Sequence, residues 1–310
     1  MAKKWTASDI PDQSGRTVLI TGANSGLGLE SAIALAAKGA TVLLACRNPE
    51  RGERARTAVA AVATGEQPRV VALDVSDLDH VAEVGRAVAE ELPRLDVLMN
   101  NAGVMAIPLG RTKQGHELQF ATNHLGHFAL TGHLLPTLLR APSPRVITVS
   151  STAHRPGSIA FSDLQWERRR YQPWRAYSQS KLANLLFSKE LQRQATEHAT
   201  ALLAASAHPG YAATNLTAAG PASRNRLLRP VMPVADRVFG QSAVMGALPQ
   251  LYAATMPEVA GDDYWGPGGL AEQRGYPARV GRTAAAKRAD DARHLWTVSE
   301  ELTGVTYAWS

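Results

Sequence analysis

Apolar positions along the chain follow two alternating rhythms. Short runs of strand-type residues stand at Thr17 to Ile20, Thr41 to Cys46, Arg69 to Leu73, Val97 to Asn100, Arg145 to Val149 and Ala201 to Ala205, with a shorter candidate near Tyr264. Helical spacing fills the gaps, as in Leu27, Ile33, Ala34 and Leu35 after the first run. The stretch Thr41 to Cys46 is apolar enough for a parallel strand buried on both faces. This alternation predicts an α/β fold, a doubly wound parallel sheet with helices on both faces. No heptads, internal repeats or low-complexity tracts interrupt it, and no domain boundary is visible. We therefore expect one domain spanning 1–310, a size at which an α/β fold often stays single. Two segments break the rhythm, 155–174 and 214–239, and loops of that length in a compact domain are usually functional or mobile.

The first strand runs into Thr21-Gly22-Ala23-Asn24-Ser25-Gly26-Leu27-Gly28. Strand, tight turn and helix in succession make a phosphate-binding turn. Gly22 can adopt a backbone conformation closed to residues with a Cβ, Gly26 lets the main chain approach a pyrophosphate, and Gly28 lets the helix pack close to the strand. The free N–H groups at the helix start then face the phosphates. The spacing G-x-x-x-G-x-G differs from the usual dinucleotide fingerprint, so a plain glycine turn remains the alternative at this point. The expectation is a Rossmann-type sheet in which Gly22, Asn24, Ser25, Gly26, Leu27 and Gly28 face a dinucleotide.

About 20 residues after such glycines, an NAD site presents Asp or Glu to the ribose 2′-hydroxyl. Here the second strand ends in Cys46 and Arg47. A carboxylate would repel a 2′-phosphate, whereas a guanidinium binds it through paired charge-assisted hydrogen bonds. We therefore expect NADP. The alternative for Arg47 is a solvated residue before the helix that Asn48-Pro49-Glu50 opens.

Downstream, Tyr177 and Lys181 are four apart on a helix that starts near Trp174, and so share a face. A phenol with its ordinary pKa near 10 is a poor donor at neutral pH, but an ammonium and an oxidised nicotinamide beside it both favour phenolate. Tyr177 could then act as acid or base. Ser151, at the end of the fifth strand, would hydrogen-bond the substrate oxygen and hold it near the phenol. Ser150 is the alternative.

The ordered set of the glycine turn, Asp74, Asn100-Asn101-Ala102-Gly103, Asn123, Ser151, Tyr177/Lys181 and His208-Pro209-Gly210 with Thr214 resembles the short-chain dehydrogenase/reductase family and covers most of the chain. The phrases Ala45-Cys46-Arg47-Asn48, Thr122-Asn123-His124-Leu125-Gly126-His127-Phe128, Ser151-Thr152-Ala153-His154 and Ser180-Lys181-Leu182-Ala183-Asn184 further resemble the branch with retinol dehydrogenases and protochlorophyllide reductases. The resemblance implies a catalytic set of Asn123, Ser151, Tyr177 and Lys181. Asn123 would hold a water in a proton relay running from Tyr177 past Lys181, whose ammonium also binds the nicotinamide ribose. It further implies that Asp74, with Val75, contacts adenine, and that Asn101, Ala102 and Gly103 line the adenine-ribose side. Pro209, Gly210 and Thr214 would lie by the nicotinamide and its phosphate. Asp74 keeps an alternative as a turn or helix N-terminal residue. The connection from Ser151 to Tyr177 is longer than the minimal one in the family, and similar insertions occur in the retinol-dehydrogenase-like branch.

A formal net charge of +6 raises the question of nucleic acid, but the basic residues are scattered apart from Arg168-Arg169-Arg170 with Arg175 nearby. That cluster is a solvated loop or attracts an anionic substrate, and we expect no nucleic-acid partner. One cysteine excludes an intrachain disulfide and favours a reducing compartment. No signal peptide or membrane span is visible, so the expectation is a cytoplasmic protein. Self-association stays open. His124, His127 and His133 share a predicted helix, but no cysteine or carboxylate completes a ligand set, and no metal is expected. The apolar side chains of 214–239 could cover a hydrophobic ligand or pack against the body. The activity expected is hydride transfer between NADP(H) and the carbonyl or alcohol of a hydrophobic small molecule. C=C reduction and a non-catalytic NADP-binding regulator are the alternatives.

Overall fold

The computed structural model describes residues 4–211 and 241–309. Segment 214–239, and with it Thr214, lies outside them. Eight strands form one sheet: β1 Thr17–Thr21, β2 Thr41–Cys46, β3 Arg69–Ala72, β4 Val97–Asn100, β5 Arg145–Val149, β6 Leu203–Ala207, β7 Tyr264–Pro267 and β8 Pro277–Arg279, in the order β3-β2-β1-β4-β5-β6-β7-β8. Neighbours pair in parallel from β3 to β7, and only β8 runs antiparallel, along β7. The strand order reverses between β1 and β4, the point at which such sheets open a crevice beyond the carboxyl ends of their strands.

Alternation along the strands divides the apolar residues between two cores. Leu19, Leu43, Leu98, Val146 and Ala204 face one core. It is closed by α3 (Leu78–Glu91), by the stretch Leu118–Phe120, Ala121–Leu125 and Gly126–Leu139 that we call α4, by α5 (Pro173–Glu197) and by α7 (Ala289–Thr303). Val18, Ile20, Val42, Leu44, Met99, Ile147 and Ala205 face the other, under α1 (Gly26–Ala36), α2 (Pro49–Ala60) and α6 (Ala243–Thr255). Burial on both faces explains why the central strands read as unbroken apolar runs.

The insertion 155–174 is held by its own side chains. Arg169 Nε is 3.4 Å from the Asp163 carboxylate, its Nη2 donates to Gln179 Oε1 at 2.9 Å, and its guanidinium stacks 3.5 Å over the Trp166 ring. The middle of the arginine cluster is therefore an internal staple of the loop, with Arg168 and Arg170 exposed on either side.

Candidate active site

The carboxyl ends of β1, β4 and β5 deliver the expected site residues to one place. Gly22 has φ +69°, and an added Cβ would come within 3.0 Å of Ala102 Cα. At Gly28 a Cβ would lie 2.6 Å from the Gly22 carbonyl oxygen and 2.7 Å from Asn101 Nδ2. Only glycine fits this turn, which α1 opens with its free N–H groups. Asn101 closes it from the far side by donating Nδ2–H to the Thr21 carbonyl at 2.7 Å, while Gln250 from α6 donates to Asn101 Oδ1 at 3.2 Å.

A cavity of about 380 Å³ lies in front of this turn. Gly22, Asn24, Ser25, Gly26, Leu27, Gly28, Arg47, Asp74, Val75, Asn101, Ala102 and Gly103 line it, so the structure brings together the first part of the predicted set. Sequence reasoning missed Cys46, Asn48, Arg51, Leu73, Val104 and Thr122 on the same walls. Arg51 had a signal, because it falls one helical turn after Arg47. Asn48 caps α2 by accepting the Arg51 main-chain N–H at 2.8 Å, with Pro49 in the first turn, and this sets both guanidinium-bearing residues at the cavity rim. The Arg47 side chain is 75% exposed, with Nη1 3.9 Å from Asp74 Oδ2. Asp74 Oδ1 accepts from the Ser76 main-chain N–H at 2.9 Å and from its hydroxyl at 2.6 Å. Asp74 is thus both a turn residue and part of the cavity wall.

Asn123, Ser151, Tyr177 and Lys181 are not among the residues lining this cavity; Gly103 on its wall brings Asn123 and Lys181 next to it. A Cβ on Gly103 would be 3.0 Å from Asn123 Oδ1 and 3.5 Å from Lys181 Nζ. Lys181 donates to the Val149 carbonyl at 3.0 Å and lies 5.8 Å from the centre of the Tyr177 ring. Burial pushes the Tyr177 phenol up to about 12, a hydrogen bond with Ser151 acting against it, and pulls the Lys181 ammonium down to about 8. Ser151 Oγ accepts from the Ala153 N–H at 3.1 Å. Ser150 turns away and donates to the Lys181 carbonyl at 2.7 Å, which separates the two serines.

Asn123 sits in the wider turn Ala121–Leu125, closed by the Gly126 N–H on the Ala121 carbonyl. Its Nδ2 donates to the Val104 carbonyl and to Ser180 Oγ, both at 2.9 Å, and its Oδ1 accepts from the Val104 N–H at 2.8 Å. Ser180 Oγ in turn donates to the Tyr177 carbonyl at 2.8 Å. Both amide hydrogens of Asn123 are engaged in holding the loop after β4 against α5, so only acceptor positions remain for a water. Pro209 and Gly210 follow β6 and are not among the residues lining the cavity. Gly210 has φ +66° and donates its N–H to His208 Nδ1 at 3.1 Å, and Gln241 Nε2 donates to the Pro209 carbonyl at 2.5 Å.

Residues 16–225 match the family described as short chain dehydrogenase. The chain belongs to this family. It is 37% identical over 298 residues to human retinol dehydrogenase 13, covering 94% of this chain and 85% of the relative. Among solved structures, an uncharacterised protein of Mycobacterium paratuberculosis is similar at a TM-score of 0.82 and 45% identity, covering 99% of this chain and all of the other. A protein described as an NAD(P) dependent gluconate 5-dehydrogenase of Beutenbergia cavernae, with bound NADP, is similar at a TM-score of 0.59 and 25% identity over 81% of this chain and 91% of the other. A short-chain dehydrogenase is an oxidoreductase, and the glycine turn that a Cβ would fill fits the diphosphate of its dinucleotide.

Two of the three histidines of α4 go to separate partners: His124 Nε2 to Ser299 Oγ at 2.8 Å, His127 to Thr21 and Asn123. Among the described residues no three His, Cys, Asp or Glu side chains gather as a ligand set, and no helix is long and apolar enough to cross a membrane.

Proposed function

We propose that the protein transfers hydride between NADP(H) and the carbonyl or alcohol carbon of a hydrophobic small molecule, with Tyr177 as the general acid and base. The observation that carries this reading is the convergence of the half-buried Ser151 with the buried Tyr177 and Lys181, the last of them beside Gly103 on the cavity wall. The nicotinamide supplies or accepts the hydride when bound. Lys181, held by the Val149 carbonyl, would offer its remaining N–H groups to the ribose hydroxyls, and its charge beside Tyr177 favours phenolate. In the reduction, Tyr177 Oη gives its proton to the oxygen that gains charge, while the Ser151 hydroxyl holds that oxygen in reach. Asn123 fixes the loop after β4 and the turn of α5 that carries Tyr177, and a relay water would rest on its acceptor atoms.

NADP is supported by Arg47 and Arg51 on one rim, by the lack of a carboxylate directly after β2, and by the NADP in the Beutenbergia structure. A hydrophobic substrate is supported by the name of the human relative and by Trp174, 54% exposed, whose ring meets that of Tyr177 edge-on at 6.1 Å. A cover formed by 214–239, with Thr214 at the phosphate, stays part of the proposal, as does one domain over 1–310. The single cysteine, buried as Cys46, supports the cytoplasm as the working compartment.

The test is a panel of aldehydes, ketones, retinoids, steroids and activated alkenes followed by NADPH absorbance. Turnover of hydrophobic carbonyls is the expected result. Turnover of alkenes alone would replace the proposal with C=C reduction, and tight NADPH binding without turnover on any compound would replace it with a binding role.

A further inference from the structure

Behind the glycine turn, a histidine that the proposed chemistry leaves unused has both ring nitrogens bonded. His127 is 1% exposed, with Nδ1 3.1 Å from the Asn123 main-chain oxygen and Nε2 2.9 Å from Thr21 Oγ1. A carbonyl oxygen only accepts, so Nδ1 carries a proton. Thr21 Oγ1 accepts the main-chain N–H groups of Asn101 and Ala102, each at 2.9 Å, which fills its two lone pairs. Its one proton is left for His127 Nε2 at 2.9 Å or the Met99 carbonyl at 3.3 Å. Only an unprotonated Nε2 satisfies this arrangement; an imidazolium would aim a second donor at a hydroxyl with no lone pair to spare.

We infer that His127 is a positioning residue, a neutral imidazole protonated at Nδ1 that ties the end of β1 and the loop after β4 to the turn carrying Asn123. The bonded path runs from Thr21 through His127 to Asn123, then through the Asn123 carboxamide to Ser180 and the Tyr177 carbonyl. It joins the wall of the dinucleotide cavity to the proposed acid with no solvent-exposed link. The wider turn Ala121–Leu125 displaces the helical hydrogen-bond ladder, and the His127 side chain gives the Asn123 carbonyl a donor there. The titratable neighbours are Lys181 from α5, whose charge adds to burial in holding His127 neutral, and His124 one turn earlier in α4. The inference rests on the proposed active site for its consequence in catalysis, but not for the tautomer.

Two measurements test it. Ring-nitrogen NMR of the whole protein, free and with NADPH, should show His127 as the Nδ1–H tautomer, unchanged from pH 8 to about 5. An Nε2–H tautomer, or titration near the ordinary histidine pKa of about 6.5, overturns it. His127→Phe keeps a ring of similar shape and removes both bonds. It should weaken NADPH binding and lower kcat roughly tenfold or more each, and His127→Asn, which can return a donor to the Asn123 carbonyl, should recover part of kcat but not the Thr21 contact. Wild-type NADPH affinity and kcat in His127→Phe would overturn the positioning role. Where that variant does not fold, the wild-type tautomer decides. A fully active Tyr177→Phe would refute the proposed chemistry yet leave the tautomer and the NADPH-binding result standing.

Discussion

Lys181 works against the stability of the protein that holds it. Its pKa in the folded chain is about 8, against an ordinary 10.5, so between these values the unfolded chain binds more protons and stability rises with pH. The penalty is complete below about pH 8 and gone above about 10.5. Lys181→Met should therefore stabilise the cofactor-free protein at pH 7 by on the order of 2 kcal/mol, with the gain fading toward pH 10.5, while NADPH binding and turnover fall. Denaturant unfolding at the two pH values checks this, and a destabilised variant at both contradicts it. At the cavity rim, Arg47→Ala should shrink the preference for NADPH over NADH by roughly 1.5–3 kcal/mol, the scale of a hydrogen bond to a charged group. Equal losses for both dinucleotides would remove the 2′-phosphate role. Tyr177 and Lys181 were readable from sequence because one helix face brings them together at a spacing of four. Val104 and Ser180 were not, since they act through a main-chain amide and a hydroxyl on Asn123 at separations of 19 and 57 residues, which no local pattern reports.

At the scale of elements, the glycine turn is the most constrained. Gly28→Ala places a methyl 2.6 Å from the Gly22 carbonyl and should cost about 1–3 kcal/mol of stability and at least about tenfold in NADPH affinity. Calorimetry with and without NADPH reads both, and unchanged affinity would mean the turn does not carry the phosphates. The strand and helix order was legible because burial on both faces produces apolar runs of a length only parallel strands need. The sixth strand was expected at Ala201 to Ala205 and runs Leu203–Ala207. Ser206, fully buried, breaks the apolar run, and register with β5, Leu203 opposite Arg145, sets the true start. Strand β8 escaped notice because its three residues, Pro277 among them, pair only through the antiparallel return along β7. The wider turn at Ala121–Leu125 is likewise invisible in composition, since it depends on which carbonyl each amide reaches.

For the whole molecule, buried histidines couple the fold to acid. Burial holds His124 at about 3 and His127 at about 4, below the ordinary 6.5, so the unfolded chain takes up protons first as pH falls and stability is lost below about 6.5. Each should withdraw about 2 kcal/mol by pH 5. His124→Leu, in its apolar setting against Phe120, Phe128 and Phe187, should flatten the fall of melting temperature between pH 6.5 and 5, and an unchanged slope would contradict the assignment. The assembly of the site from the ends of β1, β4, β5 and β6 follows from strand order, which the motifs imply only through family resemblance. In the proposed reaction Tyr177 gives the proton and is required for the chemistry, not for the cavity. That role is checked by measuring NADPH affinity and the rate of NADPH oxidation for Tyr177→Phe on the best substrate of the panel. Affinity should stay near that of the wild type while the rate falls by at least about 10²; a near-normal rate would rule out Tyr177 as the donor.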